Sequence, residues 1–285
     1  MYEIRELKEF PELLQEIPDK PKKLFYRGEL PDWENKIFLT VVGSRRFSEY
    51  GRAVCEKLIK ELAGYPIVII SGLALGTDAL AHEAALEAGL TTIAFPGSGL
   101  DDSVIAPASN FSLAMRILES GGALFSEYEP KQKAAVWTFP KRNRLMAGIS
   151  HAVLVIEANQ KSGTLITSRL ATEYNRDVMT VPGSIFRQQA AGPNMLLRLG
   201  AYPVTCGEDI VNHFGLEKKN NSETSVQEPE LNGLELQIWE LLSEPRAKQF
   251  VFDNLEASIT DINISLSSLE LKGLIVEAGS KIHRS

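Results

Sequence analysis

Five short apolar runs punctuate this chain: Ile37 to Val42, Ile67 to Ile70, Thr91 to Phe95, Ala152 to Ile156 and Val178 to Val181. Between them lie Arg52 to Ala63, Thr77 to Ala88 and Thr164 to Tyr174, whose apolar residues recur at spacings of three and four. Continuously apolar runs of this length read as strands buried on both faces, and the intervening periodicity reads as the helices that cover them. The alternation predicts an α/β fold: a Rossmann-like, doubly wound, mostly parallel sheet. A chain of 285 residues, 44% of them hydrophobic, is long enough for that core and a second, smaller domain.

Residues 1–20 form a short, acidic, proline-punctuated lead-in, and residues 21–215 carry the alternation. Residues 216–230 turn polar (Lys218, Lys219, Asn220, Asn221, Ser222, Glu223), the composition of a linker with too little apolar surface to order itself. In residues 231–285, Leu234 to Leu242, Val251 to Ala257 and Ile262 to Leu271 read as helices, and Leu274 to Ile282 as a strand pair turning near Gly279. Three helices and a wing predict a small C-terminal winged-helix domain. No apolar run approaches the eighteen residues of a membrane span and the first residues lack a signal-peptide core, so the expected location is the cytoplasm, with no membrane partner. Two distant cysteines, Cys55 and Cys206, suggest neither a disulfide framework nor a metal site.

Parallel sheets bind ligands beyond the carboxyl ends of their strands, where turns into helices present backbone N–H groups. Here four such turns are rich in Gly and Ser: Gly43-Ser44-Arg45, Ser71-Gly72, Gly97-Ser98-Gly99 and Ser162-Gly163-Thr164. A row of them suits a phosphate chain rather than one nucleotide, although each alone is also a steric requirement of a tight turn. Gly43-Ser44-Arg45-Arg46-Phe47-Ser48 lacks the G-x-G-x-x-G fingerprint, and no Walker motif is present, so neither NAD nor ATP hydrolysis is expected and no cofactor is called for.

With a net charge of −7, any nucleic-acid site must be a local basic patch. Two segments qualify, Ser44-Arg45-Arg46 and Phe139-Pro140-Lys141-Arg142-Asn143-Arg144. Three cations within four positions, preceded by Trp137 and Phe139, combine phosphate neutralisation with aromatic faces for unstacked bases. The alternative is a solvated basic turn whose aromatics plug the core, with Asn143 and Arg144 bonding neighbouring loops. For acid–base chemistry the candidates are Asp78 with His82 four residues on, Glu127 and Glu157. The Asp78–His82 spacing more often makes a structural contact than a dyad, and no G-x-S-x-G elbow makes Ser44, Ser71 or Ser162 a nucleophile. No catalytic residue is expected.

Several segments together resemble the DNA-processing protein A (DprA/Smf) family: Val41-Val42-Gly43-Ser44-Arg45, Ser71 to Asp78 with Ala81-His82, Gly97-Ser98-Gly99-Leu100-Asp101 and Leu124 to Tyr128. Phe139 to Gly148, Ser162 to Thr167 and Val181-Pro182-Gly183 continue the match, which runs in order from about Leu24 to Phe214. The resemblance implies an extended Rossmann core that binds single-stranded DNA, forms a homodimer and loads the recombinase RecA in natural transformation and recombination, without catalysis. It places the family's Gly-Ser-Arg loop on Gly43, Ser44 and Arg45, with Arg46 following, and its basic strand-end segment on Lys141, Arg142 and Arg144 with Asn143. Arg45, Lys141 and Arg144 are expected on phosphates, Phe139 on a base, and Ser162, Gly163 and Thr164 as a turn shaping the pocket.

The chain departs from the family pattern in three places. Ala106-Pro107-Ala108-Ser109-Asn110 lacks the aromatic usual in that run, and the first twenty residues leave no room for a sterile-alpha-motif-like domain. The candidate recognition helix, Thr260 to Lys272, offers one Lys against Asp261 and Glu270, so strong duplex binding is not expected. The rival reading is an enzyme: the core also resembles nucleotide phosphoribohydrolases, which use a Pro-Gly-Gly-x-Gly-Thr loop with a downstream Glu. This chain has Ser162-Gly163-Thr164 with Glu173 and lacks the leading Pro-Gly-Gly, so that resemblance is partial. A nucleotide-sensing scaffold fits the glycine turns and leaves Phe139 to Arg144 unexplained.

Overall fold

The computed structural model describes residues 2–160, 162–217, 231, 233–242, 246–255, 257–272, 274–278 and 281–284. The expected linker therefore lies largely outside the described residues. The chain divides into two compact units, Met1–Asn220 and Asn221–Ser285.

The first unit opens with β1 (Ile4–Glu6), α1 (Glu12–Glu16), β2 (Phe25–Gly28), β3 (Ile37–Val42) and α2 (Glu49–Glu61). It continues with β4 (Ile67–Ser71), α3 (Thr77–Glu87), β5 (Thr92–Ala94), α4 (Phe111–Glu119), β6 (Ala123–Ser126) and α5 (Thr138–Ile149). After β7 (Ala152–Val155) come α6 (Thr164–Glu173), β8 (Asp177–Thr180), α7 (Ala191–Arg198), β9 (Tyr202–Pro203) and α8 (Gly207–His213). Nine strands form one sheet in the order β1-β2-β6-β5-β4-β3-β7-β8-β9. It is parallel from β6 to β9, with β2 antiparallel to β6 and β1 antiparallel to β2. This is the doubly wound Rossmann-like sheet that the alternation predicts.

Both faces are dry. Alternate residues of β3 divide between two cores: Phe38 and Val42 pack with Ile70, Phe125, Leu145 and Val153, while Leu39 and Val41 pack with Leu58, Ile69, Leu80 and Leu154. Each fully buried Leu or Ile contributes about 1.5–3 kcal/mol relative to exposure, which is why β3 has no polar face.

The segment expected as a lead-in is part of the core. Leu14 and Ile17 are at most 2% exposed and pack with Leu145 and Ile149 of α5, while β1 extends the sheet by pairing with β2. Two turns of apolar spacing and a three-residue strand are too short for a periodicity argument to detect. For the same reason β6 and α4, between Gly99 and Glu127, are elements the sequence patterns above do not separate.

The second unit consists of α9 (Gly233–Leu241), β10 (Arg246–Ala247), α10 (Lys248–Asp253), α11 (Ile259–Leu271), β11 (Ile275–Ala278) and β12 (Lys281–Arg284). Its antiparallel strands lie in the order β10-β12-β11 over a small core that includes Ile238, Val251, Leu266 and Leu269.

Candidate nucleic-acid interface

Strand order reverses between β3 and β7, and ligands of such sheets bind at that switch point. A cleft of about 580 Å³ opens there, lined by the turn after β3, the turn opening α6, the start of α3 and one face of α5.

Of the four glycine-rich turns, two line this cleft. The Gly43 carbonyl accepts the Thr164 hydroxyl at 2.9 Å, and the Ser44 carbonyl accepts both the Thr77 amide (3.1 Å) and the Thr77 hydroxyl (3.0 Å). A trans peptide points its N–H opposite its C=O, so holding these carbonyls toward α3 and α6 turns the Ser44 and Arg45 amides away from those helices. Ser162 donates to the Thr164 hydroxyl (3.0 Å), completing a hydrogen-bonded seam across the switch point. Gly43 has no room for a side chain: a Cβ there would stand 2.5 Å from the Thr77 hydroxyl oxygen.

The other two turns are closed, contrary to the expected row of four anion sites. Gly72 lies against Arg142, a Cβ at Gly97 would meet the Phe139 ring at 2.6 Å, and one at Gly99 would meet the carbonyls of Glu129 and Pro130 at 2.3 Å. These glycines make room for the chain's own side chains and backbone rather than for a phosphate.

The basic segment expected as a strand-end turn is instead the beginning of helix α5, with Pro140 in its first turn, where a missing N–H costs nothing. Helical geometry therefore divides the three cations among different surroundings. Arg142 turns inward and is 4% exposed, donating to the carbonyls of Gly72 and Phe95 beside Asp78. Burial pushes its pKa down to about 10, with the nearby Asp78 carboxylate opposing the shift. Arg144, 7% exposed, donates to Glu127 and lies 3.6 Å from Asp19. Arg144 is thus held away from its expected place on a phosphate at the surface, and Arg142, expected in the same DNA-binding segment, is a core residue. Lys141 alone is exposed, 3.6 Å from Glu127 and over the Tyr128 ring.

Arg45 supplies the cleft's accessible charge. It is exposed, and its guanidinium sits 5.3 Å from the centre of the half-buried Phe139 ring, a cation–π stack joining the two basic segments of the sequence. Arg46 is exposed beside it but does not line the cleft; its amide donates to the Ser44 hydroxyl (3.0 Å). Asn143, half-buried, and Gly163, open to solvent, also line the cleft. Sequence reasoning passed over Val136 (90% exposed) and Ile166 (40% exposed), which form its apolar rim. Val136 precedes the basic segment and Ile166 falls within Ser162 to Thr167 without being singled out there, because an isolated aliphatic residue gives no signal of its own.

The acid–base candidates are each engaged elsewhere. Asp78 accepts backbone hydrogen bonds from Gly72 and Ala74, and burial raises its pKa against the opposing field of Arg142. Thr92 donates its hydroxyl proton to the Ile69 carbonyl (2.9 Å), leaving its oxygen to accept from Nδ1 of His82 at 2.7 Å. Glu157 takes Ser48, the N-cap of α2, through both oxygens (2.9 and 2.6 Å), and so holds that helix rather than the one following its own strand.

Burial first, and the Arg142 charge second, lower the His82 pKa to about 3. The folded state thus keeps a neutral imidazole where the unfolded chain titrates near 6.5. The stability this residue contributes is fully present above pH 6.5 and is lost as the pH falls toward the folded value. Between pH 6.5 and 5, above most carboxylate titrations, the melting temperature of the His82→Gln variant is expected to fall less steeply than that of the wild type. Parallel pH profiles in scanning calorimetry would contradict this assignment.

The family model for DNA recombination-mediator protein A matches residues 2–215. This chain belongs to that family. Protein Smf of Escherichia coli K12 is 37% identical over 273 residues, covering 93% of this chain and 72% of that protein, so the similarity runs into the second unit. The DNA processing protein DprA of Streptococcus pneumoniae R6 is 42% identical over 205 residues, 72% of this chain and 71% of that one. The crystal structure of Streptococcus pneumoniae DprA overlays with a TM-score of 0.67 at 38% identity, covering 74% of each chain. Helicobacter pylori DNA processing protein A, whose structure is described for its single-stranded DNA binding mode, also gives 0.67, at 29% identity over 75% of this family member and 96% of that chain.

Proposed function

We propose that this chain binds single-stranded DNA in the switch-point cleft and loads the recombinase RecA onto it, as a homodimer in the cytoplasm and without catalysing a reaction. The observation that carries the binding reading is the Arg45–Phe139 stack between the two open turns. It sets a cation for phosphates and an aromatic ring for bases beside the Ser44 and Arg45 amides, which turn away from α3 and α6. Single-stranded DNA binding is the named subject of the Helicobacter pylori relative's structure. Among the described residues, no helix is long and apolar enough to cross a membrane.

The hydrolase alternative is less well supported. Glu173 sits at the far end of α6, about 14 Å along the helix from Thr164 at 1.5 Å per residue, where it pairs with Arg169 at 3.1 Å. The carboxylate that does line the cleft, Asp78, is buried and held against Arg142.

We read the second unit as a winged helix whose role is not duplex binding. The exposed residues of α11 include Ile259, Thr260, Asp261, Ile264, Ser267 and Glu270, none of them cationic, and Lys272 just beyond pairs with the buried Glu235 at 2.9 Å. The test is a mobility-shift titration at physiological salt with matched single-stranded and duplex oligonucleotides, together with an assay for free base released from nucleoside monophosphates. Single-strand preference without base release is expected; base release, or a preference for duplex, would overturn the reading. Recombinase assembly on an oligonucleotide already coated by a single-strand-binding protein should then be faster in the presence of this chain.

A further inference from the structure

A second groove of about 800 Å³ adjoins the cleft, and the two share Pro140 and Ile166 as lining residues. Its far wall is the segment Lys20-Pro21-Lys22-Lys23, which enters neither basic motif of the sequence. In a chain of net charge −7, this groove gathers these three lysines with Lys141 and Arg144 against two acidic groups. Those two are committed: Asp19 accepts the Tyr174 hydroxyl at 2.6 Å and faces Arg144, while Glu127 serves Arg144 and Lys141. Lys23 lies 3.9 Å from Glu129, a distant and exposed pair of little strength. Among the described residues, Lys20 and Lys22 are exposed with no ion pair.

These lysines are not on a loose tail. Ile17 on one side and Leu24 on the other are buried in the core, Pro21 is buried between them, and Asp19 is tied to Tyr174. Pro18 and Pro21 further restrict the backbone on either side of Asp19 and Lys20. Three ammonium groups are thus displayed from an anchored, nearly rigid stretch facing a groove continuous with the cleft. A surface with that surplus of mobile positive heads and an aliphatic saddle suits a flexible polyanion lying across it, not a compact ligand needing convergent hydrogen bonds.

We infer that a single strand bound in the cleft continues over Pro140 and Ile166 into this groove, where Lys20, Lys22 and Lys23 contact its phosphates. This extension rests on the cleft being the DNA site. It makes affinity depend on strand length in a way the cleft alone does not. The experiment compares wild type with Lys20→Gln/Lys22→Gln/Lys23→Gln, using oligothymidylates of about six and about twenty-five nucleotides, within and beyond a typical single-domain footprint. Melting temperatures first establish that the variant folds, as three exposed positions should allow. The variant is expected to bind the short strand within about twofold of wild type and the long strand about tenfold more weakly, with a salt-dependence slope shallower by about 2 for three lost phosphate contacts at about 0.7 each. Equal affinities at both lengths and equal slopes would overturn the extension while leaving the cleft intact. Equal losses at both lengths would place the lysines inside the primary site and also overturn it. Wild type that binds neither length would remove the cleft reading and the extension together.

Discussion

Replacing Arg142 with methionine is expected to destabilise the first unit by about 3–5 kcal/mol, the usual cost of removing one partner from a buried charge pair. At about 2–4 °C per kcal/mol for a unit of this size, that is a drop of about 6–20 °C in melting temperature. The guanidinium holds the carbonyls that end β4 and β5, at Gly72 and Phe95, and faces the buried Asp78. Methionine fills the volume but strands two carbonyls and leaves the buried Asp78 carboxylate without its largest favourable charge. Burial already raises the Asp78 pKa in the wild type, and without the opposing Arg142 charge it should rise further, so the folded variant binds a proton more readily still. The variant is therefore relatively more stable at low pH and loses that advantage as the pH rises through the folded Asp78 pKa. Combining Arg142→Met with Asp78→Asn should cost less than the sum of the two single changes, because each single variant contains the same orphaned charge problem. Strict additivity in denaturant titrations would show that the two groups do not interact.

The second large effect is on binding. Arg45→Glu combined with Lys141→Gln should weaken single-strand affinity about 100-fold or more, taking about 1.5–3 kcal/mol for each charged contact and tenfold per 1.4 kcal/mol. Glutamine is chosen at position 141 because Glu127 stands 3.6 Å from the lysine, and a second carboxylate there would disturb Arg144 as well. Both side chains are exposed, so the melting temperature should stay close to that of the wild type. The loss should be alike for strands of different sequence, since phosphate contacts carry little base information. A loss confined to one sequence in a titration series would mean that these residues read bases instead.

The contrast between the two arginine effects shows where sequence stops short of structure. The parallel core is legible because Ile37 to Val42 and Ala152 to Ile156 are buried on both faces, a pattern that few other environments produce. The switch-point turns are legible because Gly43 follows the first of those strands directly and Ser162 stands just before the helix that follows the second. The roles of Arg142 and Arg144 are not legible, because three cations in four positions look like one patch until a helix turns them apart. Only then does Arg142 meet Asp78, and Arg144 meet Glu127 and Asp19, through contacts spanning from 17 to over a hundred residues of chain. Lys20 to Lys23 are equally obscure: they stand beside the acidic lead-in, the aromatics that follow them, Phe25 and Tyr26, belong to β2, and their neighbourhood with Pro140 and Ile166 exists only after folding. Phe139, singled out as a stacking platform, is half covered by Gly97 on one side and Arg45 near its ring. The ring's access to a base therefore depends on Arg45 moving toward phosphate.

The central claim, that the strand lies in the switch-point cleft, is tested most directly by photo-crosslinking a single-stranded oligonucleotide carrying 5-iodouracil and mapping the modified peptides by mass spectrometry. The expected crosslinks fall on the peptide containing Trp137 and Phe139 and disappear in the Arg45→Glu/Lys141→Gln variant. Crosslinks confined to residues 231–285, or unchanged in that variant, would contradict the account.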